Sequence, residues 1–159
     1  MAGRTVTLNG GGQMNAYLSR LAQRLGRGAA VNVGFLEGAT YPADAKRKRK
    51  GGLKVAQVAF WNEFGTVRAP ARPFFRTVVK QESPGWGVKL AKIAKATGYD
   101  SKQTLGQMGE GIKGQIVKSI VDWDVPGNAP YTIAKKGFDK PLIDSGVMQR
   151  AVDYVVKVA

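Results

Sequence analysis

The most informative stretch of the chain is residues 53–76, LKVAQVAFWNEFGTVRAPARPFFR. Its first half is densely apolar and stops at Gly65, a residue type that suits the position after the last turn of a helix. The apolar side chains step by four or five residues, a helical spacing: Val55, Ala59, Phe60 and Phe64. This half therefore predicts a helix that ends at Gly65.

The second half of the stretch predicts a stiff corner and a new helix. Pro70 and Pro73 each push the preceding residue toward an extended conformation. Pro73 also suits the first position of a helix, where its missing N–H has no partner to lose. The short helix that follows carries two apolar rows and turns Arg76 and Lys80 outward, and we expect Ser83-Pro84-Gly85 to break it.

Upstream of the corner, the pattern predicts one helix and one strand. Apolar residues recur along one helical stripe over residues 13–25, and residues 1–12 form a glycine-rich, flexible lead. Val31, Val33 and Phe35 alternate with smaller or polar residues, as in a strand with one buried face. Residues 37–52 contain five consecutive basic residues and little that can be buried, so we expect a solvated, mobile loop.

Downstream, two further helices and a final strand are expected. Trp86, Leu90, Ile93 and Ala94 form an apolar stripe opposite a row of lysines. A longer helix should run from Ser101, as its N-cap, to Val121. Its four glycines imply close packing, a bend or a break near Gly109, with five residues facing inward: Leu105, Met108, Ile112, Ile116 and Ile120.

The last third of the chain combines a long loop with a strand. Residues 124–141 are rich in proline and glycine, and so long a loop is typical of a functional or interaction segment. Asp144-Ser145-Gly146 should cap a short helical turn, and residues 152–158 alternate as a strand does. We therefore predict a single domain over residues 1–159 of the α+β class: a small antiparallel or mixed sheet packed against several helices, with long loops.

The composition excludes several kinds of chemistry. The 159 residues contain neither His nor Cys, which removes Ser-His-Asp and Cys-His nucleophilic sites, disulfides and zinc sites with the usual ligands. We expect a protein that is not an enzyme and uses no cofactor or metal. The chain also has no apolar run long enough to cross a bilayer and no signal-peptide pattern, so we expect it to be made in the cytoplasm.

Twenty-five basic and eleven acidic residues give a net charge of +14, which favours an anionic partner. The basic run is either a solvated loop tip, a contact to phosphates or an anionic surface, or a targeting signal. No aromatic residues interleave with it, so any DNA contact should be sequence-independent attraction to the backbone. The candidate phosphate contacts form two groups: Lys46, Arg47, Lys48, Arg49 and Lys50 in the run, and Lys89, Lys92 and Lys95 on the amphipathic helix.

Two other motifs are weak. The spelling G-x-G-x-x-G occurs at residues 109–114, but inside a helical pattern and not between a strand and a helix, as dinucleotide binding requires. Asp122 and Asp124 are the only close pair of carboxylates, and a magnesium nuclease needs more converging acids. Phe60, Trp61, Phe64, Phe74 and Phe75 are by default core residues, although aromatics beside an Arg-Pro corner are also typical of a protein–protein anchor.

The combination of Asn62-Glu63-Phe64-Gly65-Thr66 with Ala71-Arg72-Pro73-Phe74-Phe75-Arg76 resembles the small neck and tail-completion proteins of tailed bacteriophages, the HK97 gp10-like group. Further similar stretches are Val33-Gly34-Phe35-Leu36-Glu37-Gly38, residues 55–59 and Lys140-Pro141-Leu142-Ile143-Asp144-Ser145-Gly146. Ser145 stands where members commonly have Thr. The resemblance spans roughly residues 30 to 158 and does not extend to the basic run.

The resemblance implies a structural virion protein of the head–tail junction, assembled in the bacterial host cytoplasm. Such a subunit forms a homo-oligomeric ring that completes the tail and joins it to the head connector, and DNA passes without sequence-specific contact. Its partners are further copies, head-side connector proteins and tail-side tube or terminator proteins. The candidate contacts to a subunit or to another neck protein are Asn62, Glu63, Phe64, Arg72, Pro73, Phe74 and Arg76.

Two questions stay open at the level of sequence. Arg72 and Arg76 either pair with carboxylates of a neighbouring subunit or are paired with Glu63 inside one subunit. The alternative function is that of a nucleoid-associated protein that binds DNA without sequence preference, which the charge and the basic run favour.

Overall fold

The structure, a computed structural model, describes residues 16, 19–20, 23, 28–35, 37–44 and 50–158. Its elements, in chain order, are β1 (Ala29–Phe35), α1 (Val55–Phe64), α2 (Phe74–Ala96), α3 (Ser101–Asp122), α4 (Pro130–Lys136), α5 (Val147–Arg150) and β2 (Val152–Val158). The predicted α+β class, with a small sheet against several helices, is confirmed. The lead of residues 1–12 lies outside the described residues, as do the apolar side chains of the predicted stripe, Met14, Tyr17, Leu18, Leu21 and Leu25.

The sheet consists of β1 and β2, which pair antiparallel with Ala29 opposite Val158 and Phe35 opposite Val152. Helix α3 packs across both strands. The contact is close at Gly109, where a Cβ atom would lie 2.7 Å from the ring of Tyr154 and 2.9 Å from Val31. Close packing is thus the reason for this glycine, and α3 continues through it without a break.

The core lies where the first turn of α2, the second half of α3 and the end of the sheet meet. Phe74 is fully buried there, and its ring meets that of Phe35 edge to face at 6.1 Å. The other fully buried large side chains come from three elements: Val55, Ile116, Ile120 and Val152. The predicted inward stripe of α3 is confirmed at Met108, Ile116 and Ile120, which are buried.

The prediction that Ser83-Pro84-Gly85 ends a helix is wrong, because α2 runs unbroken through Pro84. Pro84 and Gly85 are exposed, so the proline ring lies on the solvent side of the helix, where water can replace the hydrogen bond that the proline cannot donate. Packing against α3 holds the turn: Trp86 donates to Gln115 at 3.0 Å, and Gln115 donates to Glu82. Tertiary contacts here outweigh the usual cost of a proline within a helix.

Two predicted loops are more ordered than expected. In residues 37–52, most described residues are exposed as predicted, but Tyr41 is buried in the core, and its N–H donates to the carbonyl of Leu53 at 2.9 Å. Residues 45–49 lie outside the described residues. Residues 124–141 contain α4 and are held by two side-chain hydrogen bonds. Lys140 donates to the carboxylate of Asp124 at 2.9 Å, and the amide of Asn128 donates to the carboxylate of Asp139 at 2.9 Å.

Two helix N-termini differ from the prediction in how they are capped. Asp100, and not Ser101, is the N-cap of α3, since its carboxylate accepts from the N–H of Gln103 at 2.8 Å. Helix α5 begins after Gly146, whose φ of 70° is left-handed, and no side chain caps it. Gly65 ends α1 as predicted, with a positive φ of 78° but a ψ of 176°, outside the left-handed helical region.

Candidate interaction surface

The corner between α1 and α2 is held by the carboxylate of Glu63, which is buried at the end of α1. It accepts hydrogen bonds from the N–H of Phe75, 2.9 Å, and the N–H of Arg76, 3.1 Å. These are among the first N–H groups of α2, which have no partner within the helix. The negative charge also complements the positive end of the helix dipole. Glu63 therefore caps α2 from the preceding helix.

Arg76 completes this network from the solvent side. Its Nε donates to the Glu63 carboxylate at 2.8 Å, and its Nη2 donates to the Glu63 carbonyl at 3.1 Å. The guanidinium also lies over the ring of Phe64, 4.7 Å from the ring centre. The structure thus pairs Glu63 with Arg76 inside one subunit, while 57% of the Arg76 side chain stays exposed.

The side chains around Arg76 form an exposed apolar surface. Phe60 and Phe64 lie one turn apart on α1 with their ring centres 4.6 Å from each other, and they are 59% and 52% exposed. A cavity of about 230 Å³ opens between them and Phe75. We call Phe60, Phe64, Phe75 and Arg76 the aromatic–arginine patch. The default assignment of the five aromatics to the core is wrong for Phe60, Trp61 and Phe64, which are exposed.

Arg72 is buried, and it points away from the patch. Its Nε donates to the carbonyl of Pro126 at 3.1 Å, and its Nη2 donates to the carbonyl of Gly127 at 2.9 Å. Burial lowers the pKa of Arg72, and the charge of Asp139 opposes that shift. Arg72 does not pair with Glu63, contrary to one of the two internal pairings considered; it joins the corner to the segment after α3.

Three further candidate residues build the same corner. The side-chain amide of Asn62 donates to the backbone carbonyl of Val58 at 2.9 Å, and the backbone carbonyl of Asn62 accepts from the N–H of Arg72 at 2.7 Å. Pro73 immediately precedes α2, and Phe74 fills the core beneath it. The structure therefore brings all seven candidate contact residues to one corner, where Arg76 and Phe64 are exposed and Glu63, Arg72 and Phe74 are buried.

A second cavity joins two stretches that are distant in sequence. It has a volume of about 320 Å³ and lies beside Trp61 and Asn62 on one side. Leu142, Asp144 and Ser145 line the other side. The start of the signature stretch, residues 62–76, and residues 140–146, one of the further similar stretches, are thus neighbours in the fold, which the sequence did not indicate.

The predicted row of lysines on α2 lies apart from the patch. Lys89, Lys92 and Lys95 are exposed along α2, roughly 20 to 29 Å from Arg76 at about 1.5 Å per residue. Lys89 and Lys92 border a groove of about 300 Å³ between α2 and α3, with Trp86 at its floor. Of the basic run, Lys50 is exposed, while Lys46, Arg47, Lys48 and Arg49 lie outside the described residues.

The two aspartates considered for metal chemistry are engaged separately. Asp122 pairs with Lys118 on α3, and Asp124 pairs with Lys140 at 2.9 Å. Among the residues that the structure describes, no three His, Cys, Asp or Glu side chains are grouped to hold a metal ion. Residues 109–114 lie in the middle of α3, where no strand precedes them, so the G-x-G-x-x-G spelling has no phosphate-binding geometry.

The capping role of Glu63 was missed by sequence reasoning, which treated this residue only as an ion-pair partner. The signal for it is an acidic residue placed before a predicted helix start, but the distance of twelve residues to Phe75 conceals the contact.

Comparison of the chain with protein-family models, with curated proteins and with solved structures finds no match in any of the three. Within the described part of the chain, no helix is both long and apolar enough to span a membrane.

Proposed function

We propose that this protein is a structural subunit of the head–tail junction of a tailed phage or prophage, forming a ring that completes the tail and joins it to the head connector. The observation that carries the proposal is the position of the signature residues. They form one hydrogen-bonded corner that presents Phe60, Phe64 and Arg76 to solvent on a rigid support. Aromatic and arginine side chains on a rigid support are typical of protein–protein anchors.

A contact function also agrees with the chemistry of the corner. Both oxygens of its buried carboxylate, Glu63, accept hydrogen bonds from the protein itself, from two backbone N–H groups and from Arg76, which supports a structural role for this carboxylate. The polar groups of the corner brace one another, and the exposed groups are apolar or cationic. Such a surface is suited to recognising another protein.

The test is deletion of the gene from the phage or prophage that encodes the protein, followed by electron microscopy of the particles. We expect filled heads and separate tails that lack the completing ring, and restored joining when the wild-type gene is supplied in trans. A matched pair of complementing genes sharpens the result. Phe60→Ala, which changes the patch, should restore joining poorly, and Tyr131→Ala, an exposed aromatic on α4, should restore it fully.

A second measurement concerns the ring itself. Sedimentation of the purified protein at rising concentration should yield a discrete oligomer, whose shape negative-stain images can report. A protein that stays monomeric at high concentration, together with normally joined particles after gene deletion, would refute the proposal.

The alternative is sequence-independent DNA binding, which the exposed row of Lys89, Lys92 and Lys95 favours. In the part of the chain that the structure describes, Lys89 alone of the three forms an ion pair, with Glu82 at 3.5 Å, so most of the row's charge is not offset by a carboxylate. If each lysine neutralises one phosphate, replacing all three by Gln should reduce the salt slope of duplex binding by about 2.7 log units per log unit of salt.

The control for this alternative is a triple variant with the same net charge, Lys102→Gln, Lys118→Gln and Lys157→Gln, which removes exposed lysines from α3 and β2. Equal salt slopes in the two triple variants would mean that only net charge matters. Tight duplex binding by the isolated protein that depends on the α2 row would favour the DNA-binding function over the neck function.

A further inference from the structure

The aromatic–arginine patch has a preformed pocket and a fixed cation beside it. Arg76 is held by two hydrogen bonds to Glu63 and by stacking on Phe64, so its orientation is set before any partner arrives. The cavity of about 230 Å³ between Phe60 and Phe75 is bordered by apolar side chains. A partner would lose little entropy in ordering this surface, since the surface is already ordered.

The patch keeps a positive potential although Arg76 is paired. The single charge of Glu63 is shared between Arg76 and the N-terminus of α2, which carries about half a positive charge. No other carboxylate borders the cavity. A partner with an apolar side chain beside a carboxylate would therefore be complementary to this surface, because the apolar side chain fits the cavity and the carboxylate pairs with Arg76.

A second copy of this chain has few carboxylates to offer. Among the described residues, eight of the eleven acidic side chains form an ion pair, a cap or another hydrogen bond within their own subunit: Glu63, Glu82, Glu110, Asp122, Asp124, Asp153, Asp100 and Asp139. Asp44 and Asp144 also take part in interactions within the subunit. Glu37 is the remaining one. Residues 1–36 contain no acidic residue at all, so that part of the chain cannot supply one.

We propose that the aromatic–arginine patch binds a different protein, through a segment in which a large apolar side chain is flanked by aspartate or glutamate. The apolar side chain enters the cavity between Phe60 and Phe75, and the carboxylate binds the exposed N–H groups of Arg76. The inference rests on the proposed function only for where this partner is found, namely next to the protein in the neck of the particle.

The probe is a capped pentapeptide, DDFDD, titrated into the full-length ¹⁵N-labelled protein while the backbone amide spectrum is recorded. A neutral peptide, NNFNN, is titrated in parallel. We expect shifts confined to the amides of residues 59–64 and 75–79, and an affinity for DDFDD about tenfold above that for NNFNN.

Four variants separate this site from general attraction to a chain of charge +14. Arg76→Gln should weaken DDFDD binding about tenfold, whereas Lys80→Gln, with the same loss of charge on the same helix, should weaken it less than twofold. Phe60→Ala leaves the Glu63–Arg76 network intact and should weaken both peptides. Tyr131→Ala should weaken neither.

Equal losses in Arg76→Gln and Lys80→Gln, shifts along residues 89–95 in place of the patch, or no binding at millimolar peptide would each overturn the proposal. Patch amides that shift on dilution of the protein alone, and stop shifting in Glu37→Gln, would mean that a second copy is the occupant and would also overturn it. Peptide binding at the patch combined with normally joined particles after gene deletion would refute the neck function but uphold this site.

Discussion

The backbone N–H of Phe75, in the first turn of α2, donates a hydrogen bond of 2.9 Å to the carboxylate of Glu63, in the last turn of α1. One buried side chain thereby ends one helix and caps the next. The intervening residues, 65–73, are fixed at both ends, because Asn62 also accepts from the N–H of Arg72. The orientation of the exposed aromatic–arginine patch depends on this contact.

Replacing Glu63 by Gln should destabilise the fold by about 2 kcal/mol, because hydrogen bonds to a charged acceptor are lost and an amide N–H₂ is turned toward N–H donors. The free energy of unfolding in urea measures this. Glu110→Gln is the control, since Glu110 is exposed and its nearest contact is Lys113 at 3.8 Å, and it should change stability by less than about 0.5 kcal/mol. Equal effects of the two changes would contradict the capping role.

Glycines in α3 should respond to alanine in opposite directions. Gly109→Ala places a Cβ atom 2.7 Å from the Tyr154 ring and should cost about 2 kcal/mol. Gly111→Ala meets no atom within 4 Å and should stabilise the helix by up to about 1 kcal/mol. The urea midpoints of the two variants should therefore move to opposite sides of the wild type. A stable Gly109→Ala protein would mean that α3 does not approach the sheet so closely.

Arg72→Lys should loosen the segment after α3 although it keeps the charge. A lysine ammonium lacks the planar fork with which Arg72 reaches two carbonyls, those of Pro126 and Gly127. We expect hydrogen exchange at the amides of residues 127–128 to accelerate about tenfold, equivalent to 1.4 kcal/mol. Arg68→Lys, an exposed position in the same corner, should leave that exchange unchanged.

The ion pair between Asp153 and Lys113, 3.2 Å apart, should make stability depend on pH at both extremes. A hydrogen bond from the N–H of Tyr154, and secondarily Lys113, lowers the pKa of Asp153 below 3.8, so its contribution is present above that pH and is lost as the pH falls through the folded-state pKa. The hydrogen bond to Asp153, with a smaller contribution from Glu110, raises the pKa of Lys113 above 10.5, so its contribution is lost as the pH rises through that pKa.

Asp153→Asn measures this dependence directly. The difference in unfolding free energy between wild type and variant should be flat from about pH 5 to pH 9 and should shrink toward zero in acid. When the same replacement is made in a Lys113→Gln variant, its effect on the unfolding free energy should no longer decline at alkaline pH. A difference that stays constant down to pH 2 would show that Asp153 titrates alike in the folded and unfolded chain.

Local patterns identified most elements and failed where tertiary contacts took over. The helix over residues 55–64 and both strands follow from their own apolar periodicity, since each buries a single face. The helix across Pro84 could not be predicted, because the turn is held by Gln115, 29 residues from Trp86. Tyr41 was assigned to a solvated loop because the composition around it is polar. Its burial depends on core residues that are distant in sequence, against which its ring packs.

The candidate site divides in the same way. The signature residues were chosen from sequence, and the structure places all seven at one corner. Whether each faces solvent or the interior depended on three-dimensional contacts: Phe74 and Phe75 are adjacent, yet Phe74 fills the core and Phe75 borders an open cavity. The proximity of residues 140–146 to Trp61 likewise comes from the path of the chain after α3.

The sequence by itself determined the charge of +14, the absence of His and Cys chemistry, the α+β class and the position of the stiff corner, because these depend on residue types and short-range spacing. Only the tertiary structure decided which partner Glu63 and Arg72 take, which aromatic rings are exposed and why Gly109 is a glycine. Those outcomes depend on atoms that are distant along the chain, and the free energy of burying or pairing a side chain depends on which surface closes over it.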